Sequence, residues 1–282
     1  MTRFAPSPTG YLHLGHVVNA IYVWGIGGAR DGDVILRIED HDRIRSRPEF
    51  DAALLDDLEW LGFVPGGSGG LKALGYQQCY RQSDHDEVYE QALVELRRSH
   101  HVYACECSRR DIGGERYPGT CRDRHLAETT GRGLRVEIAP GVERFVDGLL
   151  GPQEQSPADQ CGDLLLRDRD GHWTYQFAVT VDDHRDGVTH VIRGADLLSS
   201  TGRQMRLARM IGRAEPPEFL HHPILLNASG EKLSKSSGDT GVRELRAAGT
   251  RPEDVIGLAA HAAGLIDRIR PVAAAKVGQL FG

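Results

Sequence analysis

An almost unbroken apolar run, Val34-Ile35-Leu36-Arg37-Ile38, ends in the acidic pair Glu39-Asp40. A strand that is apolar at nearly every position has to be covered on both faces, the situation of a parallel sheet lying between helices. The flanking residues supply those helices. Thr2–Ala5 predicts a short strand stopped by Pro6 and Pro8. The loop Pro6-Ser7-Pro8-Thr9-Gly10 then leads into a segment whose Val17, Ala20, Ile21 and Trp24 sit at helical spacing. Gly27 and Gly28 are expected to end it. After the apolar run, Ser46 and Glu49 form a capping-box pattern with Pro48 in the first turn. Leu54, Leu55, Leu58 and Leu61 line one face of that second helix, and Gly62 suits the position just past its end. Strand, helix, strand, helix within about 60 residues predicts an α/β fold built on a parallel sheet.

The pattern is interrupted further on. Residues 65–70 read Pro-Gly-Gly-Ser-Gly-Gly, a flexible loop or boundary. Ser83 is expected to cap another amphipathic helix carrying Tyr89, Ala92, Leu93 and Leu96. Residues 103–160 read as an irregular insertion. Regular texture returns with Leu164-Leu165-Leu166, a further segment at Thr174–Val179, and a strand Val188–Ile192 running into Arg193-Gly194. A helix from about Ala195 to Ile211, a strand from Phe219 to Leu226 and a mostly helical remainder after about residue 240 complete the reading.

Composition sets the outer limits. A length of 282 residues suits roughly two domains with a core that needs no disulfide staples. With 34 Lys+Arg against 40 Asp+Glu, the net charge of −6 excludes a strongly basic nucleic-acid-coating protein but leaves room for a local basic patch. The N-terminus lacks the basic and apolar regions of a secretory signal, and no stretch approaches the ~18 apolar residues of a membrane span. Five cysteines, an odd number without a signal, fit reduced thiols in a cytoplasmic protein. No membrane association is expected, and the chain is expected to be a monomer.

Three clusters carry chemistry. In His13-Leu14-Gly15-His16, two imidazoles share one face at a helix start, and Gly15 allows close approach to backbone N–H groups, a setting for a nucleotide phosphate or base. In Lys232-Leu233-Ser234-Lys235-Ser236, lysines on a small-residue loop suit a polyphosphate. Cys105, Cys107 and Cys121 are three thiolates short of a tetrahedral zinc site by one ligand, with His100, His101 and His125 as generic candidates for the fourth.

Taken together, Pro6-Ser7-Pro8-Thr9-Gly10-Tyr11-Leu12-His13-Leu14-Gly15-His16 and Lys232-Leu233-Ser234-Lys235-Ser236 resemble the HIGH and KMSKS signatures of class I aminoacyl-tRNA synthetases. Arg3–Gly10, Leu36–Asp42 and Val191–Asp196 narrow the resemblance to the glutamyl-tRNA synthetase group, over roughly residues 2–245. The Cys-x-Cys…Tyr-x₃-Cys pattern, Arg193–Leu198 and the length resemble a shorter branch, the glutamyl-Q tRNA(Asp) synthetases. Only 46 residues follow Ser236, so no anticodon-binding domain is expected.

The resemblance implies a Rossmann-type, doubly wound parallel sheet split by an inserted zinc-bearing subdomain, with a short helical C-terminal part. The expected segments are 1–75 and 171–240 for the catalytic halves, 76–170 for the insertion and 241–282 for the helical end. It implies activation of L-glutamate with ATP and Mg²⁺, without tRNA, and transfer to the queuosine base in the anticodon stem-loop of tRNA(Asp). The alternatives are a glutamyl ligase for another acceptor, tRNA(Glu) or a small molecule, and a non-catalytic paralogue that binds glutamate, ATP or RNA. Arg3, Ser7, Glu39, Tyr175 and Arg193 match the glutamate-binding positions. His13, Gly15, His16, Lys232 and Lys235 match the ATP-binding ones, with His13, His16 and Lys235 in the catalytic set. Cys105, Cys107, Tyr117 and Cys121 match a Zn²⁺ site. Physical chemistry agrees for the amino acid: a planar guanidinium holds a carboxylate in two parallel bonds, and an anion suits the ammonium. Arg109, Arg110, Arg116, Arg122 and Arg124 are expected to offer a basic surface for RNA beside the zinc segment.

Overall fold

All five residues of the run Val34–Ile38 are buried, including Arg37, as a strand covered on both faces requires. The fold comes from a computed structural model, which describes residues 1–27, 33–41, 45–65, 79–226 and 241–282. In chain order the elements are β1 (Thr2–Phe4), α1 (Leu14–Tyr22), β2 (Val34–Ile38), α2 (Pro48–Leu61), β3 (Cys79–Arg81), α3 (Asp86–Ser99), β4 (Val102–Cys105), α4 (Arg109–Ile112), β5 (Gly133–Val136), β6 (Glu143–Asp147), β7 (Gly151–Gln155), α5 (Pro157–Gln160), β8 (Leu164–Arg167), α6 (Tyr175–Arg185), β9 (His190–Gly194), α7 (Thr201–Met210), β10 (Glu218–His222), α8 (Val242–Ala247) and α9 (Pro252–Ala262). They fall into two compact units: Met1–Asp84 with Thr189–Asp196 and Phe219–Gly282, and His85–Val188 with Leu197–Glu218.

The first unit contains the parallel sheet. β2 pairs with β1 (Thr2↔Val34) on one side and β3 (Leu36↔Cys79) on the other, all parallel. β9 lies against β1, with the N–H groups of Thr189 and His190 both donating to the Met1 carbonyl. Phe4, Leu36, Ile38 and Ile192 from these strands share one core with Val17, Val18 and Ile21 of α1, Leu54, Leu58 and Leu61 of α2, and Val255, Ile256 and Ala259 of α9. Each large apolar side chain removed from water contributes roughly 1.5–3 kcal/mol, so this cluster fixes the strand ends in space. α1 does not stop at Tyr22 but continues as a π-helical turn, Val23–Gly27. A Cβ at Gly27 would lie 2.4 Å from Thr2 Cγ2, so the glycine lets this turn close on β1.

The second unit is built on the antiparallel sheet β4-β5-β8 and the hairpin β6-β7. Its core joins Tyr89, Leu93 and Leu96 of α3, Leu134 and Val136 of β5, Leu164 and Leu166 of β8, Phe177 and Val181 of α6, and Leu207 of α7.

Several local expectations are corrected. Ser46 does not cap α2: the residue at the cap is Arg47, with no side-chain cap, and the Ser46 hydroxyl is buried without a hydrogen-bond partner among the described residues. Gly62 does end α2 in the left-handed conformation, φ 85°. Ser83 does not cap α3, which starts at Asp86 behind His85. Its N–H and hydroxyl instead both donate to the Asp40 carboxylate, at 2.8 and 2.6 Å, tying the end of β2 to the turn after β3. Residues 103–160, read as irregular, include most of β4 and all of β5, β6 and β7. Charged residues at buried positions, Arg135 in β5 and Glu143 and Asp147 in β6, hide these short strands. The expected helix 195–211 is a 3₁₀ turn, Ala195–Ser200, followed by α7. Gly28 and residues 66–70 lie outside the described residues.

Candidate active site and cysteine cluster

His13 caps α1 with its own side chain. Its Nδ1 accepts from the Gly15 N–H, and the His16 Nδ1 accepts from the His13 N–H, each at 3.1 Å. The two rings lie 4.0 Å apart. An Nδ1 that accepts carries no proton, so each neutral ring has its proton on Nε2 and is a donor there, the polarity a phosphate oxygen requires. Gly15 fits because there is no room for more: a Cβ would lie 2.9 Å from His13 Cε1. The same place meets the chain that follows the Lys232–Ser236 motif. Gly241 bridges His13, and the Val242 N–H donates to the Leu12 carbonyl at 3.0 Å. Lys232 and Lys235 themselves lie outside the described residues.

The first unit also gathers four of the five residues matched to glutamate binding. Arg3, only 4% exposed, donates from Nη1 to the Ile192 carbonyl at 3.3 Å, next to Arg193. The N–H of Glu39, just past β2, donates to the Pro6 carbonyl at 3.0 Å, next to Ser7. Cations and an anion thus stand on neighbouring strands, as expected where ligands sit at strand ends of an open parallel sheet. The fifth, Tyr175, opens α6 in the second unit and is half-buried. The Thr174 hydroxyl before it donates to the Leu165 carbonyl at 2.6 Å.

The sequence reading missed the partners behind these residues. Arg37, fully buried, donates from Nη2 to Glu39 Oε1 at 3.2 Å. Arg193 donates from Nε to Nε2 of the buried His221 at 3.0 Å and lies over the Phe219 ring. A charged residue within an apolar strand, and a His two positions after a Phe, are signals that become readable only once β2, β9 and β10 are in place. Nearby, His222 donates from Nδ1 to the Pro223 carbonyl and accepts at Nε2 from Asn19 of α1, each at 2.9 Å. Burial pulls its imidazole below the usual histidine range.

In the second unit the Sγ atoms of Cys105, Cys107 and Cys121 lie within 4.8 Å of one another. Cys107 and Cys121 are 3.6 Å apart, and Tyr117 Oη is 3.4 Å from Cys105 Sγ. A tetrahedral zinc ion with bonds of about 2.3 Å to sulfur and about 2.0 Å to oxygen has S···S edges of about 3.8 Å and S···O edges of about 3.5 Å. The three sulfurs are therefore close to the size zinc needs, and Tyr117 Oη, which accepts from the Cys121 N–H at 2.7 Å, lies beside them. Burial opposes ionisation of Cys121, yet the Glu106 N–H and bonds from Tyr117, Cys107 and Cys105 bring its thiol down to about 7. Burial and the bond to Cys121 push Cys107 up to about 12. Arg135 donates from Nε to Cys105 Sγ at 3.4 Å and stacks on Tyr117, while Arg124 reaches Cys121 Sγ at 3.7 Å. Of the alternatives for the fourth corner, His101 hydrogen-bonds Glu137 instead.

The expected basic surface is partly consumed. Arg122 is held by both oxygens of Asp163, each at 2.9 Å, Arg124 pairs with Glu106 at 2.6 Å, and Arg116 donates to the Ala158 carbonyl. Arg109 and Arg110 lie exposed on α4. Among the described residues, no helix is long and apolar enough to cross a membrane.

The family described as tRNA synthetases class I (E and Q), catalytic domain, matches residues 1–260. A glutamyl-Q tRNA(Asp) synthetase of Symbiobacterium thermophilum is 40% identical, over 96% of this chain and 88% of that protein. One from Nitratidesulfovibrio vulgaris is 39% identical, over 95% and 88%. The crystal structure of a glutamate-tRNA synthetase from Elizabethkingia anophelis superposes with a TM-score of 0.80 at 28% identity. This chain is covered to 99% and spans 64% of that one.

Proposed function

Because this chain belongs to the class I tRNA synthetases for glutamate and glutamine, we propose that it activates L-glutamate with ATP and transfers it to the queuosine base of tRNA(Asp). The observation that carries the first half is the grouping of Arg3, Glu39 and Arg193 on neighbouring strands beside the His13–His16 helix start. The second half follows the names of the relatives, which match this chain over nearly nine-tenths of their length.

In this reading the guanidinium groups of Arg3 and Arg193 take the carboxylates, Glu39 takes the ammonium, and Ser7 and Tyr175 add hydroxyls. The glutamate α-carboxylate attacks the α-phosphorus of ATP, and the bond to pyrophosphate breaks. The protein's task is positioning and charge stabilisation. The Nε2–H groups of His13 and His16 donate to phosphate oxygens, Gly15 gives room, and Lys232 and Lys235 add positive charge. Mg²⁺ enters with the polyphosphate as part of the substrate. A queuosine hydroxyl of the anticodon stem-loop then attacks the glutamyl carbonyl, and AMP leaves.

Zinc, when bound by Cys105, Cys107, Tyr117 and Cys121, supplies a structural crosslink that fixes the segment carrying the exposed Arg109 and Arg110. Those arginines offer the RNA phosphates a local positive surface. The domain reading that fits is a Rossmann-type catalytic domain split by a zinc-bearing insertion.

The test is radiolabelled glutamate offered with queuosine-containing tRNA(Asp), queuosine-free tRNA(Asp) and tRNA(Glu), beside glutamate-dependent pyrophosphate exchange without tRNA. Exchange without tRNA, and label on queuosine-containing tRNA(Asp) alone, are expected. Label on the 3′ end of tRNA(Glu) would overturn the acceptor, and no exchange with glutamate would overturn the activation step.

A further inference from the structure

Glu39 has a charged partner, Arg37. Arg193, on β9, has at its Nε a histidine on the adjacent strand β10. An arginine in a protein does not lose its proton, so its Nε–H is always the donor. The Nε2 of His221 must therefore accept, which requires a neutral ring protonated on Nδ1. His221 is 0% exposed and Arg193 4%. Phe219, two residues earlier on the same face of β10, lies flat to His221 with the rings 14° apart, and its centroid is 5.7 Å from the Arg193 Cζ. The guanidinium plane is thus held at its edge and on its face.

An acceptor of this kind orients without neutralising. A carboxylate at the same place would fix the Nε–H equally well, but it would add a negative charge beside the group that has to attract a substrate carboxylate. A neutral imidazole contributes no such charge. It also satisfies a buried donor that would otherwise lack an acceptor at this place. We infer that His221 is a positioning residue that sets the affinity for the amino-acid carboxylate by holding Arg193 with an uncharged acceptor. The inference rests on the reading of Arg193 as a glutamate ligand.

The experiment is glutamate-dependent ATP–pyrophosphate exchange with the full chain, reading KM for glutamate and for ATP, with thermal melts to confirm folding. His221→Gln keeps a neutral acceptor and is expected to stay within about threefold of the parent. His221→Phe, which removes the acceptor of the Arg193 Nε–H, is expected to raise the glutamate KM about tenfold with the ATP KM unchanged. His221→Glu keeps an acceptor but adds charge, and is expected to raise it further still. If His221→Phe does not fold, the contrast between Gln and Glu decides alone. Equal glutamate KM values for the Gln and Glu variants, an unmoved KM in a folded Phe variant, or a parallel rise in both substrates' KM would each overturn the inference. Arg193→Ala runs alongside. If that variant leaves the glutamate KM unchanged, the underlying reading of the site has failed rather than the role of His221.

Discussion

The two polar clusters are stabilised in opposite ways. In the first unit, Arg3, Glu39 and Arg193 stand on strands whose apolar neighbours form a core continuous with α1, α2 and α9. The charges there are held by a frame that burial already makes rigid. In the second unit, the cysteine cluster has a buried core of its own consisting of Tyr103, Cys105, Tyr117 and Cys121. Four side chains bury too little area to fix a segment rich in turns. What surrounds them is polar: Asp163 accepts from Tyr103 at 2.5 Å and from both forks of Arg122 at 2.9 Å, and Arg135 lies on Tyr117. Such a region takes its order from hydrogen bonds and ion pairs, and the zinc proposed for it would add what the apolar core does not.

The largest test of this contrast is metal removal. Strong chelation, or Cys121→Ser, is expected to take bound zinc from about one per chain to none, and to expose residues 105–126 to protease. The parallel sheet should keep its hydrogen-exchange protection. Loss of protection in both units together would break the distinction. Next in size, Arg193→Ala should raise the glutamate KM about a hundredfold, with ATP within about twofold, if Arg193 holds the carboxylate as proposed. Equal effects on both substrates would mean that Arg193 serves the frame.

Third, Asp57 of α2 measures what ionisation costs in the burial-dominated unit. Burial raises its carboxyl to about 6, against the pull of Arg243 and Arg246. Its folded value lies above its unfolded one, so its stabilising contribution is full below about pH 4 and is lost as pH rises through about 6. The difference amounts to at most about 3 kcal/mol. Asp57→Asn should therefore flatten the melting temperature between those limits, which a thermal titration of both proteins would reveal. The smallest effect is that of Gly15→Ala. A Cβ 2.9 Å from His13 Cε1 should displace the capping ring, costing about 1 kcal/mol of stability and slowing pyrophosphate exchange about tenfold.

How legible each cluster was follows from the same contrast. The run Val34–Ile38 announced a covered parallel strand because continuous apolarity has few other uses, and Glu39 marked its end. The cysteines were visible through their spacing alone. The strands of that unit were not, because Arg135 in β5 and Glu143 and Asp147 in β6 are charged residues at buried positions, and Val146 is an apolar one at an exposed position. The caps failed for a local reason: Ser83 had a better partner in Asp40, 43 residues away, which no window along the chain can show. Arg37 and His221 escaped for a similar reason, since their worth lies in the side chain they hold and not in any motif.

The contact of β9 with β1 also shapes how the chain comes to be folded. The amino group of Met1 bonds the Thr189 hydroxyl across 188 residues at 2.7 Å, and the Met1 carbonyl accepts from Thr189 and His190. On a ribosome, β1 therefore waits for this contact until His190–Gly194, more than 180 residues later, has been synthesised. Long-range pairings of this kind slow folding, because a large loop has to close before the contact stabilises anything. The edge of β1 is thus open to wrong partners in the nascent chain, and the arrival of His190–Gly194 covers it.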